Sequence, residues 1–594
     1  MAAACLPPGM AHTERYQGSG ATLAVCRDGS PAAGWHQRGI DGDTVAVCTT
    51  EQPDLLGRYR RYGEEMVNHL HGAFALAVWD GARGKLLLAR DRTGEHTVYW
   101  RLAGGRLSFA SQLWALLAEH QCTPELDPVA LHHYLTYRYV PAPWSIVAGV
   151  GKLAPGTLLV WTGERATTRT YWRLDVRRRE PAPSIGQAAE ELRQRLTEVT
   201  RTRLAAAGPP QVLLSGGLGS SLVAAAVAQV STAPVRTCTI GFTDPRLDQR
   251  QPARDVARYL GAEHAEHTVA GIDPAVLADL ARCFDEPFSD PAAIPAYLVA
   301  RHAGIRLADG FCGAGGAVVY GGYPHHLLLG WLNRWPQRAT GLPVLHRIGA
   351  ALVGQSTSGT PLRRMGRLLE VAGCPPRRRY ARIVGQCSES QKAALYTDDL
   401  CEELAGMDSS RLADEAYAAS TARGDLARMI DADTRGYLPG ETLTRLRATG
   451  VGHGLRLNCP LLDHQLLDRA AGLPAGWKVP YRRRSLARQL AAGWLPVRTD
   501  WSAAPSARRP PIAAWLRHEL RDLAWDLLTD RTCAGRGLFR PAAVRKLLAE
   551  HQAGIDHSGE IFALVQLELW LRAGPRELAP RPPTNDHELA AMAP

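Results

Sequence analysis

Apolar runs and polar breaks along the chain predict short strands towards its start and an alternation of strands and helices after residue 185. Residues 1 to about 40 show little periodicity and several glycines and prolines, so no element is expected there. The first ordered signals are a strand over Thr44–Thr49 and a helix over Asp54–Tyr62. Leu70–Asp80, a turn from Gly81 to Gly84, and Lys85–Arg92 read as a hairpin of two apolar strands. A charged connector with prolines, Val176–Ser184, marks a domain boundary. Beyond it, Ile185–Ala205 has amphipathic helical spacing, followed by strands over Val212–Leu214, Val235–Phe242 and His267–Val269. Helices fall between them at Ala253–Leu260 and after them at Pro274–Phe284, the latter with Asp273 as N-cap and Pro274 at its first position. This is the rhythm of a parallel sheet covered by helices, whose site is expected at the carboxyl ends of the strands.

Composition narrows the class. A chain of 594 residues exceeds one core. With 45% hydrophobic and 21% charged residues it reads as globular. No uncharged apolar run reaches the ~18 residues of a membrane span, and the start, MAAACLPPGM, lacks the basic and apolar parts of a signal peptide, which makes the cytoplasm the expected compartment. Twelve scattered cysteines form no Cys-x-x-Cys pair, and reduced, mostly buried thiols are expected. The net charge of +11 includes the clusters Arg177–Arg179, Arg377–Arg379 and Arg482–Arg484. They lack the aromatic interleaving of a nucleic-acid surface and read as solvated surface; neither nucleic acid nor membrane is an expected partner.

The chemistry concentrates in Gln211–Gln229, QVLLSGGLGSSLVAAAVAQ. A strand, the turn Ser215-Gly216-Gly217-Leu218-Gly219-Ser220-Ser221 and an alanine-rich helix build a phosphate cradle, in which glycines admit an anion to the backbone and free helix amides point at it. No Gly-Lys-Ser/Thr closes it, which excludes a Walker loop. The other reading is a tight strand-to-helix turn that binds nothing.

This loop resembles the Ser-Gly-Gly-Leu-Asp-Ser-Ser pyrophosphate loop of the asparagine synthetase superfamily, with Gly219 in place of the aspartate. The resemblance extends to the family's glutaminase-type domain through Ala89–Gly94, Phe109–Ser111, Leu153–Gly156 and Tyr171-Trp172, and to its synthetase domain through Asp285-Glu286-Pro287, Phe311–Pro324, Tyr437-Leu438-Pro439 and Asn458–Asp463. It implies an α/β protein. Residues 1–175 would form a truncated Ntn-type, class II glutamine amidotransferase-like αββα sandwich, and residues 176–185 a linker. Residues 186–575 would form a PP-loop domain of adenine nucleotide alpha hydrolase type, a parallel sheet with a helical carboxyl-terminal region, and residues 576–594 a disordered tail. Lasso-peptide cyclases, a branch of the same superfamily, share such reduced front domains.

The departures from the family pattern are chemical. Ala2 stands where the glutaminase has its cysteine nucleophile, and Cys5 lacks the family's following residues, so glutamine hydrolysis is not expected. Ala314, Ala317 and Val318 replace acids of the second glycine loop; Arg447 and Arg456 reverse the charge of two more. Magnesium needs oxygen ligands. The resemblance therefore implies ATP as the nucleotide, without a magnesium site, at Ser215, Gly216, Gly217, Gly219, Ser220, Ser221, Gly313 and Gly315. No residue is assigned a catalytic or a metal-binding role. The expected function is that of a pseudoenzyme or non-catalytic partner of an amide-forming ligase, paired with itself or with an active homologue; the alternative is an active ATP-dependent amide ligase, of asparagine synthase or lasso-cyclase type with a peptide as substrate.

His132-His133 and His325-His326 could bind a metal, yet lack a matched carboxylate or cysteine spacing and are read as surface or helix-end histidines. Leu327–Trp331 with Trp335 reads as an apolar helical stripe in an inserted segment, residues 325–385.

Overall fold

A computed structural model describes residues 12–18, 21–27, 37–50, 52–118, 124–163, 165–177, 183–205, 210–243, 248, 250–269, 271–304, 309–332, 343–355, 361–478, 485–497 and 510–574. Ala2, Cys5, Arg178, Arg179, Trp335, Arg482–Arg484 and the tail from Arg576 lie outside the described residues.

The first domain contains β1 (His12–Gly18), β2 (Ala21–Arg27), β3 (Gln37–Asp41), β4 (Thr44–Cys48), β5 (Ala75–Asp80), β6 (Lys85–Arg90), β7 (Tyr99–Ala103), β8 (Arg106–Ala110), β9 (Gly151–Lys152), β10 (Thr157–Trp161) and β11 (Ala166–Thr170). Six form an antiparallel sheet in the order β11-β10-β6-β5-β4-β3, three a smaller sheet in the order β8-β7-β9, and β1 and β2 pair with each other. Strand alternation divides the residues between two cores. Ala75, Ala77 and Trp79 of β5 join Trp100 of β7 in the core between the sheets. Leu76 and Val78 face Leu55 and Tyr59 of the helix Leu55–Tyr62 on the outside. On the far side Tyr99 packs with Leu113, Leu131 and Tyr134 of two further helices, which completes an αββα sandwich.

The predicted hairpin is β5 and β6, paired from Ala75↔Arg90 to Asp80↔Lys85. The pair β1–β2, seven residues in register from His12↔Arg27 to Gly18↔Ala21, stands where no element is expected. Its first strand, HTERYQG, is polar throughout, so apolar periodicity carries no signal of it and the backbone ladder defines the pairing.

The second domain is built on β12 (Gln211–Leu213), β13 (Arg236–Phe242), β14 (Glu263–Val269), β15 (Asp309–Phe311) and β16 (Arg456–Asn458), all parallel, in the order β14-β13-β12-β15-β16. The helix Ile185–Ala205 matches its predicted span, and Pro274–Cys283 carries the predicted Asp273 N-cap. Strand β14 starts four residues before its expected position. It lies at the sheet edge, and its polar sequence EHAEHTV hides it from an apolar reading. The helices Ile185–Ala205 and Leu218–Val230 bury Ala188, Leu192, Leu222 and Val223 against this sheet. Among the described residues no helix is long and apolar enough to cross a membrane.

Candidate functional site

The cradle forms where β12 ends at the centre of the parallel sheet. Gly216 has φ 72°, and a Cβ there would stand 2.7 Å from the Pro252 Cβ, so both the backbone and the space require glycine. Gly217 caps the helix Leu218–Val230 without a side-chain bond. The serines point into their own turn. Ser220 Oγ and Ser221 Oγ donate to the Gly217 carbonyl at 3.1 and 2.8 Å, and Ser215 Oγ lies 3.0 Å from Ser220 Oγ. Ser220 and Ser221 are buried, while Ser215 is exposed.

The second glycine loop leaves β15 and lies directly on the first. A Cβ on Gly313 would stand 2.2 Å from the Ser220 amide nitrogen, and a Cβ on Gly219 would stand 2.6 Å from the Gly313 carbonyl oxygen and 3.3 Å from the Tyr320 hydroxyl. Gly315, at φ 88°, caps the short helix Gly316–Tyr320, and a Cβ there would meet Leu462 at 2.6 Å. The structure thus brings all eight expected nucleotide-contacting residues together, packed loop on loop. Val318 is buried in the apolar core, and Ala314 packs against it.

The charge-reversed arginines are elsewhere. Arg447 pairs with Asp285 at 2.9 Å, and although burial opposes its charge, Asp285 and its neighbours leave the guanidinium above its ordinary value. Arg445 pairs with Glu441. Arg456 is exposed at the start of β16. A cavity of about 200 Å³ opens between the domains beside Arg447, lined also by Arg90, Tyr99, Lys152, Asp285 and Glu286, and no residue of either glycine loop lines it. Its charges are internally paired. Arg90 donates to the carbonyls of Leu153 and Gly94 at 2.8 and 2.9 Å. Lys152 bonds Glu286 and the Val140 carbonyl, and Glu286 also accepts from Tyr99 and the Ile146 amide. Glu286 therefore ties the two domains together.

The surface reading of the histidines needs correction, because all four are buried, although His325 and His326 do stand at a helix end, in the first turn of Pro324–Leu332. His132 contacts Glu389 at 2.9 Å, the Lys392 amine at 3.1 Å and the Tyr396 hydroxyl at 3.1 Å. His133 is packed against Trp144 with neither ring nitrogen bonded, and burial pushes it down to about 3. His325 and His326 converge on Asp433, 108 and 107 residues away, a separation that no local spacing reveals. Arg379 of the Arg377–Arg379 cluster is buried as well, donating to the Cys374 carbonyl.

Three further groups escaped the sequence reading. Cys312, at the end of β15, and Cys459, after β16, have their sulfurs 3.2 Å apart, because parallel pairing sets Phe311 beside Asn458. Glu95 of the first domain lies beside Cys459, and burial raises its carboxyl to about 7. The Lys478 amine is brought down to about 7 by burial alone.

Comparison with known proteins agrees with this two-domain arrangement. A family model described as asparagine synthase matches residues 191–572, and one described as a glutamine amidotransferase domain matches residues 47–172. Asparagine synthetase (glutamine-hydrolyzing) 1 of Bacillus subtilis is 25% identical over 542 residues, covering 89% of this chain and 82% of its own. A putative asparagine synthetase (glutamine-hydrolyzing) of Mycobacterium bovis is 27% identical over 545 residues, covering 89% and 79%. An amidase of Penicillium rubens is 29% identical over 239 residues, covering 36% and 34%. With the synthase match spanning more than half of its length, the chain belongs to the asparagine synthetase family.

Proposed function

We propose that this asparagine synthetase-like protein is a pseudoenzyme that acts by binding, as a non-catalytic partner of an amide-forming ligase. The contact between Gly219 and Gly313 supports this reading most strongly: a side chain at 219 would start 2.6 Å from the Gly313 carbonyl oxygen, which leaves no room for the family's aspartate. The residues at the loops do not fit a magnesium–pyrophosphate complex. Neither loop contains a carboxylate, the serine hydroxyls are committed within the turn, and Val318 belongs to the core. ATP or pyrophosphate, if bound, is held without magnesium at the exposed Ser215 edge.

The second reading, an active ATP-dependent ligase, draws on relatives named as glutamine-hydrolysing synthetases that align with 89% of the chain. Carboxylate-dependent exchange of labelled pyrophosphate into ATP separates the two. A pseudoenzyme gives no exchange above a no-protein control with a panel of amino acids and peptides. Exchange by the purified chain alone establishes the ligase.

A further inference from the structure

A second polar cluster lies away from the glycine loops. His325 and His326 open the helix Pro324–Leu332, and Asp433 stands on the helix Asp425–Arg435. His325 Nε2 is 2.7 Å and His326 Nε2 2.6 Å from the same carboxylate oxygen, Asp433 Oδ2. The other oxygen, Oδ1, accepts from the Tyr380 hydroxyl at 2.8 Å. All three residues are buried, Asp433 completely. The ligand atoms lie within 4.8 Å of one another.

From these residues we infer a binding site for one divalent metal ion of the zinc class. Two imidazoles and one carboxylate are the donor set that zinc and its neighbours take, with the fourth position left to water. The Asp433 side chain has no exposure, and both imidazoles and the Tyr380 hydroxyl converge on it, so the donors form one closed polar group. A divalent ion would take the two Nε2 atoms and Oδ2 as ligands in place of their direct hydrogen bonds. The Tyr380 hydroxyl then plays the orienting part usual beside a metal-bound carboxylate. Aromatic packing holds the first imidazole: the Tyr323 ring stacks on His325 at 5.2 Å between centroids, and Tyr437 meets it edge-on at 5.3 Å. The ion would clamp the start of the inserted helical segment to the helix Asp425–Arg435, across a gap of about a hundred residues in sequence.

The test uses the full chain, stripped with EDTA and titrated with cobalt(II), beside elemental analysis of protein purified from zinc-supplemented culture. The wild type is expected to hold about one zinc per chain and to show visible cobalt(II) absorption that saturates near one equivalent and is lost on adding zinc. Asp433→Asn and His326→Gln are expected to hold less than about a tenth of that zinc. Tyr380→Phe, which keeps all three ligands, is expected to bind about 10- to 100-fold more weakly. His132→Gln, at a buried histidine outside the cluster, is expected to keep the full complement. A wild type with neither stoichiometric metal nor a cobalt spectrum overturns the inference whether or not the variants fold, and so does a folded Asp433→Asn that retains its metal.

Discussion

Gly219 and Gly313 touch backbone to backbone, each occupying the place where the other's side chain would begin. Restoring the family's aspartate at 219 therefore does not restore a site. A Cβ there stands 2.6 Å from the Gly313 carbonyl oxygen, and a buried charge follows it. Gly219→Asp is expected to cost about 2–4 kcal/mol in urea unfolding, from overpacking and an unpaired buried carboxylate. Gly219→Ala carries the steric part alone. Equal stability of Gly219→Asp and the wild type would mean that the loops part freely.

The Arg447–Asp285 pair is an internal neutralisation rather than a free anion site. Arg447→Met leaves a largely buried carboxylate beside Glu286 and is expected to cost about 3–5 kcal/mol. Adding Asp285→Asn should recover much of that loss, so a double-mutant cycle on denaturation midpoints reads the coupling directly. Additive effects of the two changes would contradict the pairing.

His133 makes stability fall in mild acid. Its folded value of about 3 lies below the ordinary 6.5, so the unfolded chain binds the proton that the folded chain refuses. Its contribution is whole above about pH 6.5 and declines by up to about 1.4 kcal/mol per pH unit towards pH 3. His133→Phe, which keeps the aromatic contact with Trp144 and removes two unbonded nitrogens, is expected to raise stability at pH 5 by about 1–3 kcal/mol and to flatten this limb. An unchanged pH profile in the variant would show that His133 does not titrate this way.

Much of the fold was legible in residue patterns. The hairpin β5–β6, the helix Ile185–Ala205 and the Asp273 cap carry strong local signals: apolar strands around a glycine turn, amphipathic spacing, and aspartate before proline. The glycine loops were legible because close backbone approach restricts residue type. Elements with polar sequences, β1 and the first half of β14, carry no apolar period. The histidine partners were hidden for a different reason. Asp433, Glu389 and Tyr396 reach His325, His326 and His132 only through tertiary packing, so sequence spacing made four buried residues look like surface ones. Arg447 misled in the same way, since its partner Asp285 lies 162 residues away in the chain.

Cys312 and Cys459 follow paired positions of parallel neighbours, and their sulfurs at 3.2 Å need only a small approach to bond. Treatment with excess diamide, which takes up the two electrons and two protons, is expected to yield a Cys312–Cys459 disulfide in peptide maps, reversible by dithiothreitol. Because both thiols are buried, formation should be slow at 25 °C and faster in about 1–2 M urea, where local opening admits the reagent. Crosslinks that avoid both residues would contradict the juxtaposition of the two loops.

The central claim is that the cradle keeps its shape without metal-dependent nucleotide chemistry, and calorimetric titration of the full chain with ATP tests it most directly, with magnesium in one series and EDTA in the other. The account predicts that magnesium adds no binding: any heat seen is the same in both series and is reproduced by pyrophosphate alone. ATP binding that appears only with magnesium would contradict it.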